Sequence, residues 1–147
     1  MTLSARSLTV DGVGRRVLLV EPDGRPTGIV LSLHGSRSSP EEQVRLSGMD
    51  RLAVTEGAVV AFPQGGAPLG RGWAWDHEVD LEFLSLLIDE LRNDFPRAGR
   101  VCLAGMSGGA RMACRVGSTR SDAVAAIVKG QRDFLVGGQQ ISISADT

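Results

Sequence analysis

Four short runs of apolar residues constrain the fold of this chain more than any other feature of its sequence. They occupy positions 29–33, 58–62, 100–104 and 123–128. Nearly continuous apolar runs of this length are typical of strands buried on both faces of a parallel sheet. In the segment 80–95, apolar residues recur at helical spacing, namely Leu84, Leu87, Ile88, Leu91 and Phe95. The alternation predicts an α/β fold whose mostly parallel sheet is covered by helices on both faces.

Turn and helix signals flank these runs. Two short apolar segments, 7–10 and 16–21, surround a glycine-rich turn, which predicts an opening β-hairpin. Residues 39–42 combine a capping serine, a proline at the first helical position and a glutamate at the third, so a helix is predicted to begin there, with a break near Gly48. Residues 63–72 are rich in glycine and proline and are predicted to form an irregular loop.

Length and composition limit the partners of the chain. A chain of 147 residues is expected to form a single domain, here spanning residues 1–147. Sixteen Lys and Arg against 17 Asp and Glu leave no basic excess for binding nucleic acid. Since no signal peptide and no apolar run of about 18 residues is visible, a cytoplasmic protein without membrane association is expected. Cys102 and Cys114 lack metal-ligand spacing, so neither a metal site nor another cofactor is predicted.

Residues 105–109 read Gly-Met-Ser-Gly-Gly and match the pattern G-x-S-x-G. In a nucleophile elbow this pattern forms a tight turn between a strand and a helix, which exposes the serine hydroxyl. An apolar run precedes the motif and an alanine-containing segment follows it, as an elbow requires. Ser107 is therefore the candidate nucleophile, while a structural glycine-rich turn or a phosphate-binding loop remain the alternatives.

Acyl transfer to a serine also requires backbone N–H donors that bind the oxyanion. Gly108 follows the candidate nucleophile and provides one such donor. His34, Gly35 and Ser36 end an earlier central strand, so the N–H of Ser36 is the candidate second donor, with Arg37 beside it. The alternative is that Gly35 only permits a turn.

A series of motifs along the chain agrees with one known family. In order they are the opening hairpin and the segments 33–35, 61–64, 72–75, 79–84 and 105–109, which together extend over about residues 7–128. This set resembles the polyhydroxybutyrate depolymerase and feruloyl esterase group of the α/β-hydrolases. The resemblance implies a serine esterase that acts on hydroxyalkanoate, feruloyl or other small acyl esters. It also implies Ser107 as nucleophile, with Ser36 and Gly108 lining the oxyanion hole.

The chain departs from this family after residue 128. Such hydrolases carry an acid and then a histidine after the nucleophile, yet the 40 residues that follow Ser107 contain no histidine. The final strands of the family are therefore expected to be missing, and residues 129–147 to form an atypical tail. Our interpretation is a C-terminal truncation, or a frameshift near Lys129.

Two earlier histidines and one later acid are the remaining candidates for a catalytic triad. His77 is the candidate substitute base, although it precedes Ser107 in the chain, and a solvated loop histidine is the alternative. The family resemblance implies a structural role for His34. Asp133 is the later acid considered as a triad member.

The residues just before the predicted helix 80–95 allow further expectations. Asp80 is predicted to be its N-cap, because a carboxylate there meets free N–H groups and the positive end of the helix dipole. Trp73 and Trp75 either line an acyl pocket or pack beneath the glycine-rich loop.

The leading hypothesis is a serine hydrolase that cleaves carboxylic esters through Ser107. The alternative is a catalytically impaired remnant of such an esterase that serves as a binding or interaction module. A nucleotide-binding module is disfavoured because no lysine follows the glycines at P-loop spacing. The last apolar run, 123–128, is predicted to be an exposed edge of the sheet, and the chain is expected to form homo-oligomers through this edge. The segment 140–145 is a candidate strand that could cover the edge.

Overall fold

The computed structural model describes residues 1–129, 133–136 and 139–142, and its centre is one six-stranded sheet. The strands of this sheet are β1 (Thr2–Val10), β2 (Val13–Glu21), β3 (Gly28–Leu33), β4 (Ala58–Pro63), β7 (Val101–Gly105) and β8 (Val124–Lys129). Their order is β1-β2-β4-β3-β7-β8. The last four strands in this order are parallel to one another, and β2 pairs antiparallel with both β4 and β1. The predicted mostly parallel sheet with an opening hairpin is therefore confirmed.

The opening hairpin is longer than its apolar segments indicate. β1 and β2 pair from Thr2 opposite Glu21 to Val10 opposite Val13. Asp11 and Gly12 connect them, with φ of 50° and 77°. A two-residue turn with two positive φ angles matches the twist of the strands, and Asp-Gly is a preferred sequence for it.

Four helices lie against the sheet within the described residues. They are α1 (Pro40–Ser47), α2 (Leu52–Thr55), α3 (Val79–Asp94) and α4 (Gly108–Thr119), with a 3₁₀ turn at Met49–Arg51 between the first two. The Ser39 side chain accepts the Glu42 N–H at 3.1 Å and caps α1, as predicted. Gly48, with φ of 65°, ends α1 at the predicted break.

The core has two layers, one on each face of the sheet. Ile29, Leu31 and Leu33 of β3 pack among the apolar side chains of α3 and α4. Val30 of the same strand faces the other way and packs with Met49 and Leu52. Because successive strand residues point to opposite faces, a strand covered on both sides must be apolar at nearly every position.

The glycine-rich segment 63–72 is more regular than predicted. It contains β5 (Ala67–Leu69), which pairs with β6 (Gly72–Ala74) in a separate two-stranded sheet. Gly70, at φ of 63°, lies in the connecting turn. A side chain on Gly72 would collide with the backbone of Arg37, 2.6 Å from its carbonyl carbon. These glycines therefore serve a tight hairpin turn and a close packing contact, and the expectation of an irregular loop was wrong.

The expected cap of α3 was also wrong. Asp80 lies inside the first turn of the helix, and the cap is provided by Asp76, whose Oδ1 accepts the N–H groups of Glu78 and Val79, both at 2.9 Å. These two hydrogen bonds lower the pKa of Asp76. Asp80 is buried and has a different partner, described below.

Strand β8 ends the six-stranded sheet and pairs with β7. The backbone of the tail forms β9 (Asp133–Val136) and β10 (Gln139–Ser142), which pair with each other. The predicted strand 140–145 therefore exists in part but pairs with β9, and its positions 143–145 lie outside the described residues.

Candidate active site

Ser107 occupies the turn between β7 and α4 with an unusual backbone conformation. Its φ and ψ angles are 53° and −114°, a combination that L-residues rarely adopt. The Ser107 carbonyl accepts the N–H groups of Ala110 and Arg111 at 3.0 and 3.2 Å, which starts the helix. Ser107 is exposed to solvent. The chain thus turns sharply from a buried strand into a helix and leaves the hydroxyl accessible.

The glycines of the motif are required by the packing around this turn. A β-carbon on Gly105 would lie 2.6 Å from the backbone nitrogen of Ala110, and one on Gly109 would lie 2.5 Å from the His34 carbonyl oxygen. Both obstacles are backbone atoms, so neither can move aside. The strand, the turn and the helix can therefore approach one another only with glycine at positions 105 and 109.

The structure brings both candidate oxyanion donors next to Ser107. A β-carbon on Gly108 would lie 2.6 Å from Oγ of Ser36 and 3.6 Å from its backbone nitrogen, and one on Gly35 would lie 3.8 Å from Cβ of Ser107. Among the hydrogen bonds between described residues, none uses the backbone N–H of Ser36 or of Gly108. Two N–H groups without a hydrogen-bond partner among the described residues therefore lie in the two segments that meet at Ser107, and an oxyanion hole requires two such donors.

His34 holds the loop that carries Ser36, and both of its ring nitrogens are engaged. Nδ1–H donates to the Gly35 carbonyl at 2.8 Å, and Nε2 accepts the N–H of Gly65 at 3.0 Å. The ring stacks on Trp75, whose Nε1–H donates to the His34 carbonyl at 2.7 Å. Burial lowers the pKa of His34, so the ring is neutral near pH 7. His34 therefore has a structural role and no free nitrogen for base catalysis.

A buried ion pair, which the sequence did not indicate, fixes the segment beyond β4. Arg15 of β2 pairs with the carboxylate of Asp80, and its guanidinium lies 4.2 Å from the ring centroid of Phe83. The second carboxylate oxygen accepts the N–H groups of Asp76 at 2.7 Å and Gly66 at 3.1 Å. One carboxylate thus connects β2, the loop after β4 and the start of α3.

Among the described side chains, the candidate base His77 is not hydrogen-bonded to Ser107. His77 is exposed, and its backbone carbonyl accepts Nε–H of Arg115 at 2.8 Å. Throughout the part of the chain that the structure describes, the His77 ring makes no hydrogen bond to Ser107. Asp133 begins β9, and its side chain lies outside the described residues.

The two tryptophans have different surroundings. Trp75 is 8% exposed and belongs to the core beneath His34. Trp73 is half-buried and lines a cavity of about 510 Å³ together with the β1–β2 turn and Gly65. Its backbone also pairs with the loop after β3, since the Arg37 N–H donates to the Trp73 carbonyl at 2.9 Å. Trp75 therefore packs in the core, whereas the described residues that line the Trp73 cavity do not include Ser107, so an acyl pocket at Trp73 stays a prediction.

Neither a metal-binding cluster nor a membrane-spanning helix is found among the described residues. Within residues 1–129, 133–136 and 139–142, no cluster of three or more His, Cys, Asp or Glu side chains has a metal-binding arrangement. No helix in these ranges combines the length and apolarity needed to cross a bilayer.

Two proteins that are named as esterases are similar to this chain in sequence. The chain is 31% identical over 101 residues to the bifunctional acetylxylan esterase/xylanase XynS20E of Neocallimastix patriciarum, covering 67% of this chain and 15% of that protein. It is 31% identical over 153 aligned positions to NocK of Nocardia uniformis subsp. tsuyamanensis, a protein named as a candidate esterase, covering 88% of this chain and 42% of NocK. No family model matches.

The solved structures agree on the fold. The acetyl xylan esterase of Aspergillus awamori superimposes with a TM-score of 0.69 at 16% identity, over 97% of this chain and 58% of that one. The chain therefore has the α/β-hydrolase fold, as predicted, and resembles esterases in sequence. It spans less than half the length of the two relatives above.

Proposed function

We propose that this chain carries the nucleophile of a serine hydrolase that cleaves carboxylic esters. The observation that carries the proposal is the conformation of Ser107, held at a positive φ between β7 and α4 with the free N–H groups of Gly108 and Ser36 beside it. A turn with a purely structural role does not require an exposed hydroxyl next to two backbone N–H groups that lack hydrogen-bond partners.

The proposed chemistry follows from these atoms. The Ser107 oxygen attacks the ester carbonyl carbon, and the carbonyl oxygen becomes an oxyanion that accepts the two N–H groups. Collapse of this intermediate expels the alcohol and leaves an acyl-enzyme, which water then hydrolyses. The proton of the Ser107 hydroxyl passes to water and from water to the leaving alkoxide, because among the described residues neither histidine is hydrogen-bonded to Ser107. The serine therefore stays a neutral, weak nucleophile and reacts slowly.

The proposed substrate is a small acyl ester. Within this class the sequence resemblance favours hydroxyalkanoate or feruloyl esters, and the names of similar proteins include acetylxylan esterases. Rates on 4-nitrophenyl acetate, butyrate and octanoate measure the size preference, and we expect acetate to be cleaved fastest.

A test compares the wild-type chain with Ser107→Ala on 4-nitrophenyl acetate and on a fluorophosphonate probe. Oxyanion donors alone leave about 10³ to 10⁴-fold catalysis over water in enzymes without a triad, so we expect slow turnover and slow labelling that both require Ser107. Equal rates in the two chains would refute the proposal. Rapid labelling that His77→Gln abolishes would instead identify His77 as the base.

The second candidate function is an impaired remnant that acts as a binding module. The observation in its favour is the absence of a base hydrogen-bonded to Ser107 among the described residues. This candidate predicts that Ser107→Ala changes neither turnover nor labelling, and the experiment above therefore separates the two functions.

A further inference from the structure

A second cavity, of about 390 Å³, is lined in part by the loop residues that directly follow Ser36. Arg37 and Arg71 contribute to its wall, together with Ser38, Ser39 and Glu42. The cavity lies beside the β5–β6 hairpin, because the N–H of Trp73 in that hairpin donates to the Ser38 carbonyl at 2.9 Å. Gly72 of this hairpin also lines the second cavity, whereas Trp73 lines the first.

The charges around this cavity are unbalanced. Both Arg37 and Arg71 are exposed, and neither forms an ion pair with another described residue. Glu42 is the acidic residue in the wall, and its carboxylate is already paired with Arg45. The cavity therefore presents two uncompensated guanidinium groups, which attract an anion.

The position of Arg37 links this charge to the proposed site. Arg37 is the residue after Ser36, and it lies at φ of 68°, in the left-handed region that disfavours a side chain. One residue lies between Arg37 and Gly35, so their Cα atoms are at most about 7.6 Å apart, and Gly35 lies against Ser107. The Arg37 guanidinium reaches the hairpin turn, since a β-carbon on Gly70 would lie 3.5 Å from its Nη1.

The buried hydroxyl of Ser38 adds a polar group to the same wall. Its oxygen has no hydrogen-bond partner among the described residues. This oxygen is shielded from solvent, so an anion bound in the cavity would contact the two guanidinium groups and not the Ser38 hydroxyl.

We propose that this cavity is a subsite for a carboxylate on the ester substrate. The inference rests on the proposed function, and it specifies the substrate class as esters whose acyl part ends in a carboxylate a few bonds from the reacting carbonyl. A guanidinium presents paired N–H donors that match the two oxygens of a carboxylate. Since Arg37 follows the oxyanion donor directly, the charged end and the reacting carbonyl would be bound by adjacent residues.

The kinetic test uses two substrates that differ only in charge, the 4-nitrophenyl monoester of glutaric acid and its methyl-capped diester. We expect the wild-type chain to show about tenfold lower KM for the charged ester, with similar kcat, and we expect this difference to shrink as salt is added. Arg37→Gln and Arg71→Gln should each remove most of the difference. Arg25→Gln, an exposed arginine before the start of β3, is the matched control and should retain it.

A binding measurement separates this proposal from the proposed function. Calorimetric titration with glutarate should show binding that is weakened about tenfold in Arg37→Gln and unchanged in Arg25→Gln. Glutarate binding without any Ser107-dependent ester cleavage would support the subsite and refute the esterase. Ester cleavage that ignores substrate charge, or no glutarate binding, would refute the subsite alone. Inorganic phosphate bound as tightly as glutarate would overturn the assignment to a carboxylate.

Discussion

Replacement of Ser107 by glycine is expected to stabilise the chain, because it removes backbone strain at the proposed nucleophile. The angles of 53° and −114° are unfavourable for any residue with a β-carbon, and such strain costs about 1–3 kcal/mol. Glycine removes that cost, but it also increases the conformational entropy of the unfolded chain, which destabilises the folded state by about 0.4–1 kcal/mol. The net expectation is a free energy of unfolding about 1 kcal/mol larger for Ser107→Gly than for Ser107→Ala.

Ser107→Ala is the matched control because alanine keeps the β-carbon and lacks only the hydroxyl. The side chain is exposed, so neither replacement changes buried apolar area appreciably. Urea unfolding at constant m-value measures the difference, and for a chain of 147 residues 1 kcal/mol corresponds to about 3–4 °C in Tm. If Ser107→Ala proves as stable as Ser107→Gly, the backbone at this turn is unstrained and the reasoning from the elbow conformation is wrong.

Three other predictions concern the buried ion pair, His34 and the sheet edge. Asp80→Asn should destabilise the chain by about 3–5 kcal/mol because it leaves the Arg15 charge buried without a partner. In urea unfolding, the double variant with Arg15→Met should recover part of this loss. If the free-energy losses of the two single variants simply add in the double variant, the pairing is contradicted. Because burial lowers the pKa of His34 in the folded state below its usual 6.5, stability should be full above pH 6.5 and should decline as the pH falls below 6.5, where the unfolded chain takes up the proton first. His34→Gln should flatten this decline and the exposed His77→Gln should not; the same slope in all three chains would refute the assignment. Sedimentation should show self-association at high micromolar concentration that Ala125→Lys, an exposed position of β8, weakens, and a monomer at that concentration would refute the edge argument.

Features that depend on neighbours along the chain followed from the sequence. Strands β3, β4 and β7 are recognisable because burial on both faces requires apolar residues at successive positions. The cap at Ser39 and the break at Gly48 are local backbone preferences, expressed within one helical turn. The turn at Ser107 was predictable for the same reason, since its glycines lie within two residues of the serine.

Only the tertiary structure shows which contacts join segments that are distant in sequence around this turn. Arg15 and Asp80 are 65 positions apart, and His34 and Gly65 are 31 apart, so no local pattern marks either pair. A charge or a ring nitrogen can be buried only where a partner from another segment satisfies it, and that partner is set by the packing of the sheet. Asp80 has the sequence context of a helix cap, but its contacts in the folded chain make it the partner of Arg15 instead.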